Sequence, residues 1–209
     1  MDERKPRVLK ASRRAVEEAA RIVRSGGLII YPTDTVYGLG CDPFNVQAVR
    51  RVFEVKGREA RRPLPVLASS LKEVQRIAIL DERALRLAQS FWPGPLTLVV
   101  PRKPLLPDVV TCGQPSVGVR VPGHEFALEV IGACGGLLVG TSANKSRRPA
   151  PRTAQEAISE LGGRVDLVID GGPAPLGLPS TVLDLTGPKP KLIREGALPT
   201  RELRSFLGP

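Results

Sequence analysis

Leu28-Ile29-Ile30-Tyr31-Pro32-Thr33-Asp34-Thr35-Val36-Tyr37-Gly38-Leu39-Gly40 is the stretch on which the reading of the fold turns. Its first four residues are an apolar run of strand length, and Pro32 closes it. Behind the run, hydroxyls, a carboxylate and two glycines crowd into a tight loop. Such a loop can line a pocket; equally, it can be a Pro-Thr-Asp turn held by its own side-chain to backbone bonds. Upstream, Ser12 stands where a helix cap belongs, and Ala15, Val16, Ala19, Ala20 and Val23 recur at helical spacing until Gly26 and Gly27. Downstream, Asn45 caps a second helix with Val46, Val49, Val52, Phe53 and Val55, closed by Gly57, before an apolar strand at 64–68. Helix, strand, helix, strand is an α/β rhythm.

The rhythm continues to the end of the chain. Helices are expected at 71–77, 82–92, 126–133, 154–161 and 201–207, and strands at 96–100, 117–121, 137–139, 165–169, 181–185 and 191–194. No repeat or low-complexity tract interrupts the series, so a single domain over 1–209 is expected, built as a twisted, mixed sheet flanked by helices. Ligands of open α/β sheets lie in crevices at strand ends, so the loops leaving the strands are expected to hold the chemistry.

Composition narrows the function. Lysine and arginine outnumber aspartate and glutamate 31 to 21, a net charge of +10, which suits an anionic partner such as nucleotide phosphate, RNA or acidic lipid. Part of that excess, Arg4, Lys5, Arg7, Arg13 and Arg14, falls in a stretch that reads as exposed surface. Aromatic residues make only 4% of the chain, too few for rows of base-stacking rings. No apolar run reaches the roughly 18 to 20 residues that span a bilayer, and the first residues lack a signal-peptide core, so a cytoplasmic protein is expected. Cys41, Cys112 and Cys134 are widely spaced and read as reduced thiols. His124 is the one histidine, placed just before a helix and read as a structural contact. A histidine-rich metal site is thereby excluded, and GxSxG, GxGxxG and P-loop signatures are missing; Gly140 to Ser146 lacks the second glycine of a P-loop.

Four constellations remain beside the opening loop. Lys56, Arg58, Arg61 and Arg62 gather several cations before a buried strand, as a triphosphate or a helix C-terminus favours. Phe91-Trp92-Pro93-Gly94-Pro95 is a rigid helix-to-strand junction. Arg120 sits inside an apolar strand and needs an anion, either a protein carboxylate or a ligand carboxylate. Thr141, Ser142 and Asn144 follow a strand with hydroxyls, backbone N–H groups and an amide that suit a phosphate.

Together these segments resemble the YrdC-type family of threonylcarbamoyl-AMP synthases from about residue 26 to 196. The motifs are Pro-Thr-Asp-Thr-Val-Tyr-Gly-Leu-Gly, Lys56-x-Arg58, Trp92-Pro93-Gly94-Pro95-Leu96-Thr97, Val119-Arg120-Val121-Pro122, Ser142-x-Asn144 and Pro179-Ser180-Thr181-Val182. The resemblance implies a mixed α/β, YrdC-like fold with a concave basic cavity. It also implies synthesis of threonylcarbamoyl-AMP and pyrophosphate from L-threonine, bicarbonate and ATP, with magnesium as the triphosphate's counterion. By the same resemblance Thr35, Arg120, the Gly140 backbone and Ser180 surround threonine, while Lys56, Arg58, Ser116, Ser142, Asn144 and Arg194 serve the nucleotide. Lys56, Arg58, Ser142 and Asn144 are the expected catalytic set. A second complex is expected to pass the group to the tRNA adenosine next to the anticodon, and direct RNA contact is compatible with the charge. The sequence departs from the family at Glu59, which follows Arg58 in place of proline, and at Arg62 and Leu67, where relatives carry asparagine and histidine; Arg62 and Leu67 are therefore left out of the expected contacts. The rival readings are a non-catalytic RNA-binding module and a paralogous carbamoyl-adenylate enzyme with another substrate.

Overall fold

The computed structural model describes residues 6–207. In chain order the elements begin with β1 (Arg7–Lys10), α1 (Arg13–Arg24), β2 (Ile29–Tyr31), β3 (Gly38–Gly40) and α2 (Val46–Lys56). Next come β4 (Val66–Ala68), α3 (Leu71–Ile77), α4 (Glu82–Phe91), β5 (Leu96–Pro101), α5 (Asp108–Thr111) and β6 (Ser116–Arg120). The series closes with α6 (Glu125–Ala133), β7 (Leu137–Val139), β8 (Thr141–Ser142), α7 (Ala154–Leu161), β9 (Leu167–Asp170), β10 (Thr181–Asp184), β11 (Lys191–Arg194) and α8 (Arg204–Leu207).

Local chemistry accounts for the helix ends. The Ser12 hydroxyl accepts from the Ala15 N–H at 3.3 Å, the Asn45 amide oxygen from the Ala48 N–H at 3.0 Å, and Gly57 ends α2 at φ 57°. Helices α3 and α7 and strands β7 and β11 occupy the expected residues. Arg7, Arg13 and Arg14 are exposed as expected, although Arg7 opens a strand and pairs with Glu18. Arg4 and Lys5 lie outside the described residues.

Mixed pairing flanked by helices is present, but the strands divide between two sheets. One has the order β1-β9-β2-β3-β8, the other β11-β10-β5-β6-β4-β7. Gly140 is the single residue between β7, an edge of the second sheet, and β8, an edge of the first. Here the sheets meet, with the Val139 N–H donating to the Cys41 carbonyl at 2.9 Å and the Gly140 N–H to the Pro65 carbonyl at 2.9 Å.

Side-chain alternation along each strand sorts the interior. In β2, Ile30 joins the larger core, while Ile29 and Tyr31 face a second cluster filled by Ala15, Ala19 and Val23 of α1 and by Val130 and Ile131 of α6. In the second sheet Leu96, Leu98, Val117, Val119 and Leu183 belong to the larger core. The residues between them point the other way.

Gly40 shows how closely the layers fit. A Cβ there would lie 2.9 Å from Cε1 of the buried Tyr31 ring and 3.2 Å from the Val139 carbonyl oxygen. Neither group has room to move, so Gly40→Ala is expected to cost about 1–3 kcal/mol. In a thermal melt this appears as a Tm lowered by roughly 3–10 °C; an unchanged Tm would mean that the sheet junction gives way easily.

Candidate active site

A cavity of about 380 Å³ opens between the two sheets. Alternation turns Ser116, Gly118 and Arg120 of β6, Thr97 and Val99 of β5, and Val182 of β10 toward it. Thr33, Thr35, Gly38, Thr141 and Ser142 come to it from the first sheet and its loop, and Gly140 joins the walls. The opening motif is thus both of the things the sequence allowed. Thr33 Oγ1 donates to the Val36 carbonyl at 2.7 Å and accepts from the Thr35 N–H at 3.2 Å, closing a turn whose hydroxyls line a pocket.

Arg120 is 4% exposed and is fixed on three sides. Its Nε donates to the Gly94 carbonyl at 2.8 Å, its Nη1 to Thr35 Oγ1 at 2.9 Å, and its Nη2 to Asp34 Oδ1, whose residue is 5% exposed. The strand arginine therefore has a protein carboxylate, and three of its five N–H groups are used within the protein. The remaining two belong to a residue that lines the cavity. The Trp92 to Pro95 junction supplies the Gly94 carbonyl; it is held by the Trp92 indole N–H on the Leu96 carbonyl at 2.6 Å and the Gly94 N–H on the Val121 carbonyl at 2.9 Å.

Around the rest of the cavity, positive charge collects without acids. The described lining holds four arginines, Arg58, Arg62, Arg120 and Arg194, and no aspartate or glutamate. Arg58 donates from Nε to the Arg62 carbonyl at 2.8 Å and from Nη2 to the Pro63 carbonyl at 2.7 Å, so it braces the loop it belongs to. Arg194 donates from Nε and Nη2 to the Ser180 carbonyl at 3.1 and 2.7 Å. The Ser180 hydroxyl in turn meets Thr97 Oγ1 at 2.8 Å. Burial pulls the Arg58 and Arg194 pKa values downward, and Arg62 adds to the effect on Arg58. An anion entering the cavity reverses that penalty.

Eight of the residues singled out from sequence line the cavity together: Thr35, Arg58, Ser116, Arg120, Gly140, Ser142, Ser180 and Arg194. Lys56 and Asn144 do not. Lys56, 2% exposed, sends Nζ to the carbonyls of Ser142 and Asn144, the latter at 2.7 Å. The Asn144 amide donates to the carbonyls of Lys145 and Arg148 at 2.9 and 2.6 Å. Both side chains shape the Ser142 loop from behind, by donating to its backbone carbonyls. Arg62 and Leu67, left out of the expected contacts, do line the cavity, as do Thr33 and Thr97. The signal for Thr97 was in the sequence, where it alternates with Leu96 and Leu98; Leu67 stands in an all-apolar run that carries none. His124 caps α6, its Nδ1 accepting from the Ala127 N–H at 3.3 Å.

Burial, reinforced by Arg58 and Arg62, brings the Lys56 pKa down to about 7. An uncharged amine has two N–H groups, which match the two carbonyls it meets. Free lysine titrates near 10.4, so between about pH 7 and 10 the unfolded chain binds the extra proton and stability rises with pH. Cys41 and Cys134, pushed up to about 12 by burial, act oppositely once free thiols ionise above about pH 8.5. In urea unfolding between pH 7 and 8.5, the Lys56 contribution is a positive slope of at most about 1.4 kcal/mol per pH unit. Lys56→Met is expected to remove that slope; an identical slope in the variant would mean that Lys56 is charged in the folded protein.

The Sua5/YciO/YrdC family model, described as telomere recombination, matches residues 21–196. The threonylcarbamoyl-AMP synthase of Pyrococcus abyssi is 42% identical over 191 residues, covering 91% of this chain and 56% of that protein. The Bacillus subtilis enzyme of the same name is 36% identical over 196 residues, covering 93% of this chain and 57% of its own length. The chain therefore spans a little over half the length of these relatives. The crystal structure of Pyrococcus abyssi Sua5 complexed with L-threonine superposes with a TM-score of 0.92 at 39% identity, covering 98% of this chain and 60% of that one. The motifs and these matches agree, and the chain belongs to the Sua5/YciO/YrdC family.

Proposed function

We propose that the chain is an L-threonylcarbamoyladenylate synthase, making threonylcarbamoyl-AMP and pyrophosphate from L-threonine, bicarbonate and ATP. The observation that carries this reading is the cavity between the sheets, whose described lining joins four arginines to hydroxyls and includes no carboxylate. A triphosphate and an amino-acid carboxylate both match such a lining. The threonine held by the Pyrococcus abyssi protein supports the amino-acid half.

The reaction needs no enzyme nucleophile. The threonine amine and bicarbonate condense to a carbamate with loss of water. A carbamate oxygen then forms a bond to the α-phosphorus of ATP as the bond to the departing pyrophosphate breaks. Positioning and charge stabilisation are the protein's share of the work. Arg120 offers its spare N–H groups to the threonine carboxylate, with Thr35, Ser180 and the Gly140 backbone around the amino acid. Arg58, Arg62 and Arg194 meet the charge of the phosphates, with Ser116 and Ser142 as hydroxyl partners. Lys56 and Asn144 act through the loop that carries Ser142 and are positioning residues in this arrangement.

Among the described residues no group of three or more His, Cys, Asp or Glu side chains is placed to hold a metal ion. Hydroxyl oxygens of the lining suit magnesium as the companion of the triphosphate, where it neutralises phosphate charge. No described helix is long and apolar enough to cross a membrane. A cytoplasmic location, transfer of the carbamoyl group to tRNA by a separate complex, and RNA contact through the net charge of +10 belong to the same reading.

Incubation with ATP, magnesium, threonine and isotopically labelled bicarbonate tests it directly. The nucleotide product is expected to have the mass of threonylcarbamoyl-AMP and to carry the label; AMP or ADP alone, or an unlabelled adenylate, would sink the proposal. The two ends of the cavity are expected to fail separately. Losing a charge-assisted hydrogen bond of roughly 1.5–3 kcal/mol, Arg58→Ala should weaken ATP by about one to two orders of magnitude and leave threonine nearly unaffected. Arg120→Ala should weaken threonine instead and cost about 3–5 kcal/mol of stability, because Asp34 is left buried and unpaired. Calorimetric titration of each ligand into each variant checks this; equal losses of both ligands in both variants would mean that the arginines hold the fold without dividing the substrates.

A further inference from the structure

Leu67 is 4% exposed, yet it is part of the cavity wall. Its neighbours Val66 and Ala68 point into the larger core, so alternation turns Leu67 to the face that Arg120 occupies. The strands are parallel there and Leu67 is in register with Arg120, so the two side chains stand side by side about 4.8 Å apart at their roots. One flank of Leu67 packs in the second cluster with Tyr31 and Leu138. Its isobutyl group also covers Gly140. A Cβ at that position would fall 2.2, 2.8 and 3.1 Å from Leu67 Cγ, Cδ1 and Cδ2.

The opposite neighbour of Arg120 is polar. Strand β5 pairs antiparallel with β6, Leu98 opposite Val119, which brings Thr97 beside Arg120. Thr97 shares its hydroxyl with Ser180 at 2.8 Å, and Thr35 Oγ1 lies 2.9 Å from Arg120 Nη1. Arg120 thus stands between an apolar wall and a group of hydroxyls. An α-amino acid whose carboxylate lies on Arg120 has its β-carbon two bonds from the carboxylate carbon, within reach of both neighbours. A β-carbon bearing one methyl and one hydroxyl matches both at once.

We propose that Leu67 is a specificity-determining residue of the amino-acid end of the cavity, receiving the β-methyl group of the substrate and limiting the size of the group accepted there. The inference rests on the reading of Arg120 as the carboxylate site.

Steady-state pyrophosphate release with threonine, serine and 3-hydroxynorvaline, which has an ethyl group in place of the methyl, tests the wall. The unaltered chain is expected to favour threonine over serine by about 10- to 200-fold in kcat/KM, the range one buried methyl or methylene supplies. Leu67→Ala should shrink that ratio by about tenfold and raise 3-hydroxynorvaline relative to threonine, with the KM for ATP unchanged. Leu67→Val, a milder change in a buried position, should move both ratios in the same direction by less. Equal use of serine and threonine by the unaltered chain, or ratios unmoved by the substitutions, overturns the proposal. Absence of release with every amino acid in the unaltered chain removes the parent reading and this one with it, a result distinct from an unmoved ratio.

Discussion

The ion pair between Arg120 and Asp34 is the constraint around which the site is organised. Asp34 stands on the loop that leaves β2 of the first sheet, Arg120 ends β6 of the second, and both are almost fully buried. Two charges taken out of water are tolerated only with close geometry and further hydrogen bonds. Gly94 and Thr35 supply those bonds to the guanidinium. Burial still pulls the Arg120 pKa down, and the Asp34 charge is the largest influence opposing that. The pair ties the motif loop to the second sheet and aims a fixed guanidinium at the space between them.

The rest of the cavity is built on an opposite principle. Arg58 and Arg194 are held by backbone carbonyls and not by acids, so their charge is oriented but not neutralised. Clustering cations without counterions destabilises the empty protein and favours whatever anion enters. Burial lowers the Lys56 pKa, and the neighbouring arginines of the same field add to the shift. The amine clips the Ser142 loop by donating to the carbonyls of Ser142 and Asn144.

Much of this was legible in the sequence, for identifiable reasons. Capped helices and apolar strands announce themselves through periodicity, and α1, α2, α3 and α7 follow their caps and spacing. Strand β1 did not, because Arg7 to Lys10 carries a charge at each end and is held by parallel pairing with β9, a partner some 160 residues away. Gly38-Leu39-Gly40 reads as a loop from its glycines, yet pairing on both sides makes it a strand. The chain changes sheet three times, between β3 and β4, across Gly140 between β7 and β8, and between β9 and β10, and local composition has no means of marking a change of sheet. At the site, residue type pointed to Arg58, Arg120 and Ser142, and the family resemblance added Ser180 and Arg194, but neither revealed which way a side chain points. Lys56 and Asn144 turn inward to carbonyls, and Leu67 turns outward to the cavity, each for reasons of backbone geometry.

A crystal structure of the chain with threonine and a non-hydrolysable ATP analogue tests the central claim most directly. The threonine carboxylate is expected within hydrogen-bond distance of Arg120 while the Asp34 contact persists, and the triphosphate among Arg58, Arg62 and Arg194. Threonine bound away from Arg120, or an Arg120 that leaves Asp34 to reach its ligand, would contradict it.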